Sequence, residues 1–68
     1  MPTQTEWEMK AANLLKAELK RKGVTYAQLA ELIGEKEVNV RNKLSRGKFS
    51  AAFFLHSLEA IGQTEIRL

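Results

Sequence analysis

The chain contains no cysteine, which removes disulfide stapling and every thiolate metal site from consideration. It has a single histidine, His56, with no metal-binding motif around it, so neither a metal nor a cofactor is expected. No apolar stretch approaches the roughly 20 residues that a membrane span needs. The opening residues Thr3, Gln4, Thr5, Glu6 and Glu8 are polar and acidic where a secretion signal would be basic and then apolar. No membrane partner is therefore expected, and a reducing, cytoplasmic setting is the default. At 68 residues the chain has room for one domain, spanning 1–68, with a modest core. A catalytic pocket with a converging nucleophile and base is not in view, and an enzyme is not expected. Ser57 beside His56 does not supply one, because neighbours on a helix diverge by about 100°.

Glycine is sparse, and its placement is informative. Gly23, Gly34, Gly47 and Gly62 each follow a stretch with helical periodicity, which predicts four helices, over about 5–22, 25–33, 36–45 and 50–61, joined by short turns. In the first, Trp7, Ala11, Leu15 and Leu19 fall four apart, widened by Ala12 and Leu14, with Thr5 as the expected N-cap. Glu6 and Glu8 in its first turn and Lys20, Arg21 and Lys22 in its last both suit the helix dipole. The second opens on a capping box, Thr25 with Gln28, and a staple, Val24 with Leu29; Tyr26, Leu29, Ala30 and Ile33 form its apolar face.

In the third helix Val40 and Leu44 are the inward pair, and Val38 either joins the core or faces a partner. The fourth starts after Phe49, with Ser50 as cap and Phe49 and Phe54 as staple. Phe54, Leu58 and Ile61 make its buried stripe, with Ala51 and Leu55 beside it. Phe53 then points away, to a subunit contact or to burial under the tail. In that tail, Thr64, Ile66 and Leu68 alternate with Glu65 and Arg67, the pattern of a short strand. A lone strand is unstable, so the tail either packs on the core or pairs with its copy. Phe53, Ile66 and Leu68 are accordingly the expected dimer contacts.

The formal charge is +3, and it is unevenly placed. Lys36, Arg41, Lys43, Arg46 and Lys48 oppose only Glu35 and Glu37 within residues 35–50. A short capped helix, a glycine turn and a basic helix make a helix-turn-helix arrangement. Ala30 suits a helix crossing, Gly34 a positive φ, and Val40 an anchor that lets the opposite face project. A helix fits the major groove, where Asn39 and Asn42 can pair with adenine, and Arg41 and Lys43 can address guanine or phosphates. Lys36, Arg46 and Lys48 are expected to clamp phosphates, as are Thr25, Tyr26 and Gln28 at the start of the second helix. For Tyr26 a half-buried core position competes with that role, and plain surface or capping roles compete for Asn39 and Asn42.

Two runs, GVTYAQLA from Gly23 to Ala30 and VNVRNKLSRGKFSAAFFL from Val38 to Leu55, resemble a small bacterial family known only as a domain of unknown function, number 6471. More distantly the chain is similar to the repressor-like helix-turn-helix superfamily of phage repressors. There Thr25 matches the cap of the second helix, Tyr26 a position that often touches phosphate, Leu29 and Ala30 the hydrophobic-alanine pair, and Gly34 the turn glycine. Arg46, Gly47 and Lys48 match the close of the recognition helix. The residue after the turn glycine is usually apolar in that superfamily and is Glu35 here. Gly34 and Gly47 lie 13 positions apart, one more than is usual there. The extra residue either lengthens the turn or rotates the start of the third helix by about 100°.

The expected fold is thus an all-α, four-helix, repressor-like domain with a short extended tail. The expected function is double-stranded DNA binding in transcriptional regulation, as a homodimer. The alternative is a protein-interaction or assembly module, in which Val38, Phe53 and the tail bind a partner and the basic face serves solubility.

Overall fold

Helix formation starts at Thr3. Its extended backbone (φ −73°, ψ 167°) places Oγ1 to accept the Glu6 N–H at 3.1 Å, which satisfies one of the free donors of a first turn. The computed structural model describes residues 3–68 and contains α1 (Gln4–Lys22), α2 (Tyr26–Ile33), α3 (Glu37–Arg46) and α4 (Ala51–Ala60), with no strand among the described residues. The expected cap Thr5 is inside α1, because Thr3 performs that task two residues earlier.

The first helix ends in a Schellman motif. Val24 N–H donates to the Leu19 carbonyl at 2.9 Å and Gly23 N–H to Lys20 at 3.1 Å, so the carbonyls left over by the last turn are paired and the chain reverses at once. The expected capping box is present at α2. Thr25 Oγ1 accepts the Gln28 N–H at 3.1 Å, and Gln28 Oε1 accepts the Thr25 N–H at 2.8 Å.

The core is built from Leu15 and Leu19 of α1, Leu29 and Ala30 of α2, Val40 and Leu44 of α3, and Phe53 and Leu58 of α4. Each such leucine withdrawn from water contributes roughly 1.5–3 kcal/mol. Ala30 is buried, as a residue between crossing helices must be, and α2 packs most extensively on α3. Val24, Ile33 and Ile61 lie partly buried against the cluster.

Two helix faces differ from the expected ones. On α1 the inward set is Ala12, Leu15 and Leu19, while Trp7 is 47% exposed. The close approach of Gly47 to the backbone of Glu8 presses the Glu8 side of α1 toward the α3–α4 turn. Trp7 and Leu14, about 100° round the helix from Glu8, lie on a flank. On α4, Phe53 is only 8% exposed and belongs to the core, whereas Leu55 and Ala51 are exposed. The buried face takes Phe53 and Ser57 as well as Phe54, Leu58 and Ile61, and at about 100° per residue its centre lies near Ile61. Leu55 falls outside that arc. Phe49 holds the group together, with ring centroids 5.3 Å from Phe53 and 6.0 Å from Phe54 in a stacked pair.

Ser57 is fully buried and its hydroxyl has no hydrogen-bond partner among the described residues. An unpaired buried hydroxyl carries a desolvation cost without return. Ser57→Ala is therefore expected to stabilise the protein by about 1 kcal/mol, raising the melting temperature by roughly 4–8 °C. A thermal melt that drops instead would mean the hydroxyl is paired in solution.

The tail from Gln63 to Leu68 forms neither helix nor strand, in place of the strand that its alternation suggests. A single strand has no ladder to join. Instead Gly62, at φ 79°, closes α4: its own N–H reaches the Glu59 carbonyl at 3.0 Å and Gln63 N–H the Leu58 carbonyl at 2.9 Å. Beyond that turn Ile66 lies beside α1 and α4, next to Leu14, Phe54 and Leu58.

Candidate nucleic-acid interface

The geometry of the candidate surface is set by how α3 is held. Val40 and Leu44 are completely buried, one turn apart on a single line. Stepping about 100° per residue from that line puts Asn42 on the outermost position, with Val38 and Ser45 on one side of it and Arg46 and Asn39 on the other. Lys36, Asn39, Lys43 and Arg46 share one flank at i, i+3, i+7 and i+10, and Arg41 stands on the opposite flank. The expected inward pair is in place. The turn between α2 and α3 takes up Gly34, Glu35 and Lys36.

The turn also explains why an acidic residue follows Gly34. Glu35 N–H donates to the Ala30 carbonyl at 2.8 Å, the Schellman bond of α2, whose apolar contact is here given up. Its carboxylate turns instead to the start of α3. Oε1 accepts from Asn39 Nδ2 at 3.0 Å and from the Lys36 N–H at 3.0 Å, and Oε2 from Lys43 Nζ at 3.2 Å. Lys36, the N-cap residue, provides no side-chain cap to α3; the negative charge one residue earlier accepts the Lys36 N–H and suits the helix dipole. These contacts lower the carboxyl pKa from 4.5 to about 2. The Asn39 hydrogen bond is the largest cause, followed by the Lys36 N–H and the Lys43 ammonium.

Each expected contact residue can now be placed. Asn42 and Asn39 are exposed, Asn42 outward and Asn39 tied to Glu35. Arg41 is exposed and paired with Glu37, one turn before it. Lys43 is partly buried, bridged to Glu35, with its ammonium 4.6 Å from the centre of the Phe53 ring. Lys48 reaches Glu8 on α1 at 2.7 Å. Lys36 and Arg46 are exposed and form no ion pair among the described residues. Thr25 and Gln28 are exposed at the start of α2 but engaged in their mutual cap. Tyr26 is half-buried against the core, and Val38 is 51% exposed on the outer face of α3.

The structure thus gathers Lys36, Asn39, Lys43 and Arg46 on one stripe, with Asn42 at its edge. Arg41 lies apart from it, on the opposite flank. The role of Glu35 as the organiser of this stripe escaped the sequence reading, although its spacing of four to Asn39 and eight to Lys43 is the usual signal of one helical face. The Glu8–Lys48 pair had no such signal, because its partners lie 40 positions apart.

The family model described as "Domain of unknown function (DUF6471)" matches residues 7–66. No curated protein and no solved structure matches the chain.

Proposed function

The chain belongs to the DUF6471 family, whose description brings no activity with it, and from the geometry of α2 and α3 we propose that the protein binds double-stranded DNA. In this reading it is a repressor-like helix-turn-helix domain that acts in transcriptional regulation as a homodimer, and a binding module, not an enzyme. The observation that carries the reading is the α3 stripe. A helix anchored by Val40 and Leu44 offers Asn39, Asn42, Lys36, Lys43 and Arg46 along one outer flank. Such a helix has the diameter of the major groove; amides suit adenine edges, and the exposed apolar Val38 suits a thymine methyl. Lys36 and Arg46, which form no ion pair among the described residues, are the phosphate contacts that require no rearrangement.

A second reading has its own observation. Glu35, Glu37 and Glu8 engage three of the five cations between Lys36 and Lys48, and Val38 stands exposed among them, as on a protein-docking surface. Salt separates the two. Fluorescence anisotropy with a mixed-sequence duplex is expected to show binding that weakens steeply with salt, log K falling with a slope of about 0.9 per phosphate neutralised. The absence of salt-sensitive binding at roughly 50 µM protein, within the usual range of non-specific affinity, overturns the DNA reading and leaves the protein-docking one.

A further inference from the structure

Beside the tail lies an apolar surface that the folded chain leaves uncovered. Leu68 is 88% exposed and Leu55 63% exposed, with half-exposed Trp7 and partly exposed Ile66 between them. A hollow of about 170 Å³ between Trp7, Leu14, Phe54, Ile66 and Leu68 has almost wholly apolar walls. Phe53, expected to contribute to such a surface, is in the core instead. Among the described residues, the backbone N–H groups from Thr64 to Leu68 donate to no backbone carbonyl. The segment is anchored at its start by the Gln63–Leu58 hydrogen bond and by Arg21 donating to the Gln63 side chain.

The order of residues in that segment says what would cover it. We propose that residues 64–68 pair antiparallel with the same residues of a second copy, about a two-fold axis through Ile66. In that register Glu65 of each chain stands opposite Arg67 of the other, Thr64 opposite Leu68, and Ile66 opposite itself. Opposed residues of antiparallel strands share a face. The two Ile66 side chains, each lying against its own α1 and α4, are then on the inner face, while both charge pairs lie on the outer. A parallel in-register ribbon would set Glu65 against Glu65 and Arg67 against Arg67, which is destabilising. The pairing gives the N–H groups of residues 64–68 a ladder, with the Glu65 carbonyl, which accepts from the Gln63 side-chain amide within its own chain, exchanging that partner where the ladder uses it, and it brings the Trp7, Leu55 and Leu68 surfaces of two copies together. It is isologous, the commonest geometry of small homodimers. It deepens the DNA reading by supplying the paired reading helices that a palindromic site needs; its test contains no DNA, so either can fail alone.

The test is charge exchange on the full chain, read by light scattering and sedimentation. The unaltered protein is expected to dimerise. Glu65→Arg and Arg67→Glu each place two like-charge pairs across the ribbon and are expected to weaken dimerisation roughly tenfold. Mixing the two variants matches both pairs again and is expected to restore a mixed dimer at the original concentration. Both positions are exposed, so circular dichroism should report an unchanged helical fold. A mass of one chain for the unaltered protein at every concentration up to its solubility limit overturns the proposal. So does a dimer that is indifferent to both substitutions, or a mixture that fails to recover.

Discussion

Gly47→Ala is expected to destabilise the protein by about 2–4 kcal/mol, while Gly34→Ala costs about 1 kcal/mol. The two glycines have the same backbone conformation, with φ of 70° and 72°. Each ends a helix, so both substitutions carry the strain of a left-handed alanine. They differ in what surrounds them. A Cβ at Gly34 meets nothing within 4 Å, whereas at Gly47 it falls 3.0 Å from the carbonyl carbon and oxygen of Glu8 and 3.1 Å from Met9 Sδ. The sulfur can move, but the backbone of α1 cannot without shifting the helix. α1 brings Ala12, Leu15 and Leu19 to the core, so displacing it loosens packing far from the substitution. A chain of this size has a total stability of order 3–10 kcal/mol, so the effect is a large share of the whole. Comparative melts are the measurement: Gly47→Ala should melt about 10 °C below Gly34→Ala. Equal melting temperatures would show that α1 and the α3–α4 turn separate at no cost.

The second large effect is on DNA affinity and turns on Glu35. Its carboxylate occupies two of the groups on the α3 stripe, Asn39 and Lys43, and, in the proposed DNA reading, adds a negative charge where phosphates would approach. Glu35→Gln preserves the shape and an oxygen for the Lys36 N–H while removing that charge. It is expected to tighten duplex binding about tenfold at low salt and to steepen the salt dependence, since a released lysine adds a slope of about 0.9. The opposite arm, Arg41→Ala with Lys43→Ala and Arg46→Ala, should abolish salt-sensitive binding with the helical signal intact. If Glu35→Gln instead weakens binding, the carboxylate is a positioning group that holds Asn39 and Lys43 ready for the groove.

Acid stability gives Glu35 a separate readout. A carboxyl whose folded pKa is depressed contributes stability in full above its unfolded value near 4.5, and loses that contribution as pH falls from there through about 2. Glu35→Gln should therefore flatten the fall in melting temperature between pH 5 and pH 2. At neutral pH the carboxylate is ionised, so the affinity effect there is one of full charge.

Local sequence determined the parts of this protein whose causes are local. The Thr25–Gln28 box, the glycines that end the helices, the Ser50 cap and the Val40–Leu44 pair each depend on residues within a turn of one another, so periodicity and capping chemistry suffice to place them. The same rules put the cations in one segment. They could not rank two neighbouring faces of one helix, because the buried face is chosen by what packs against it. Hence Phe53 is inward and Leu55 outward on α4, and Trp7 lies on the flank of α1, whose Glu8 side faces Gly47 in the α3–α4 turn.

The charges of the α3 stripe divide in the same way. Their presence is written in the sequence from Lys36 to Lys48, but their availability is decided by folding. Only the tertiary arrangement brings Glu8 to Lys48 across 40 positions and swings Glu35 over the start of α3, because an ion pair depends on distance in space and the chain records only distance along itself.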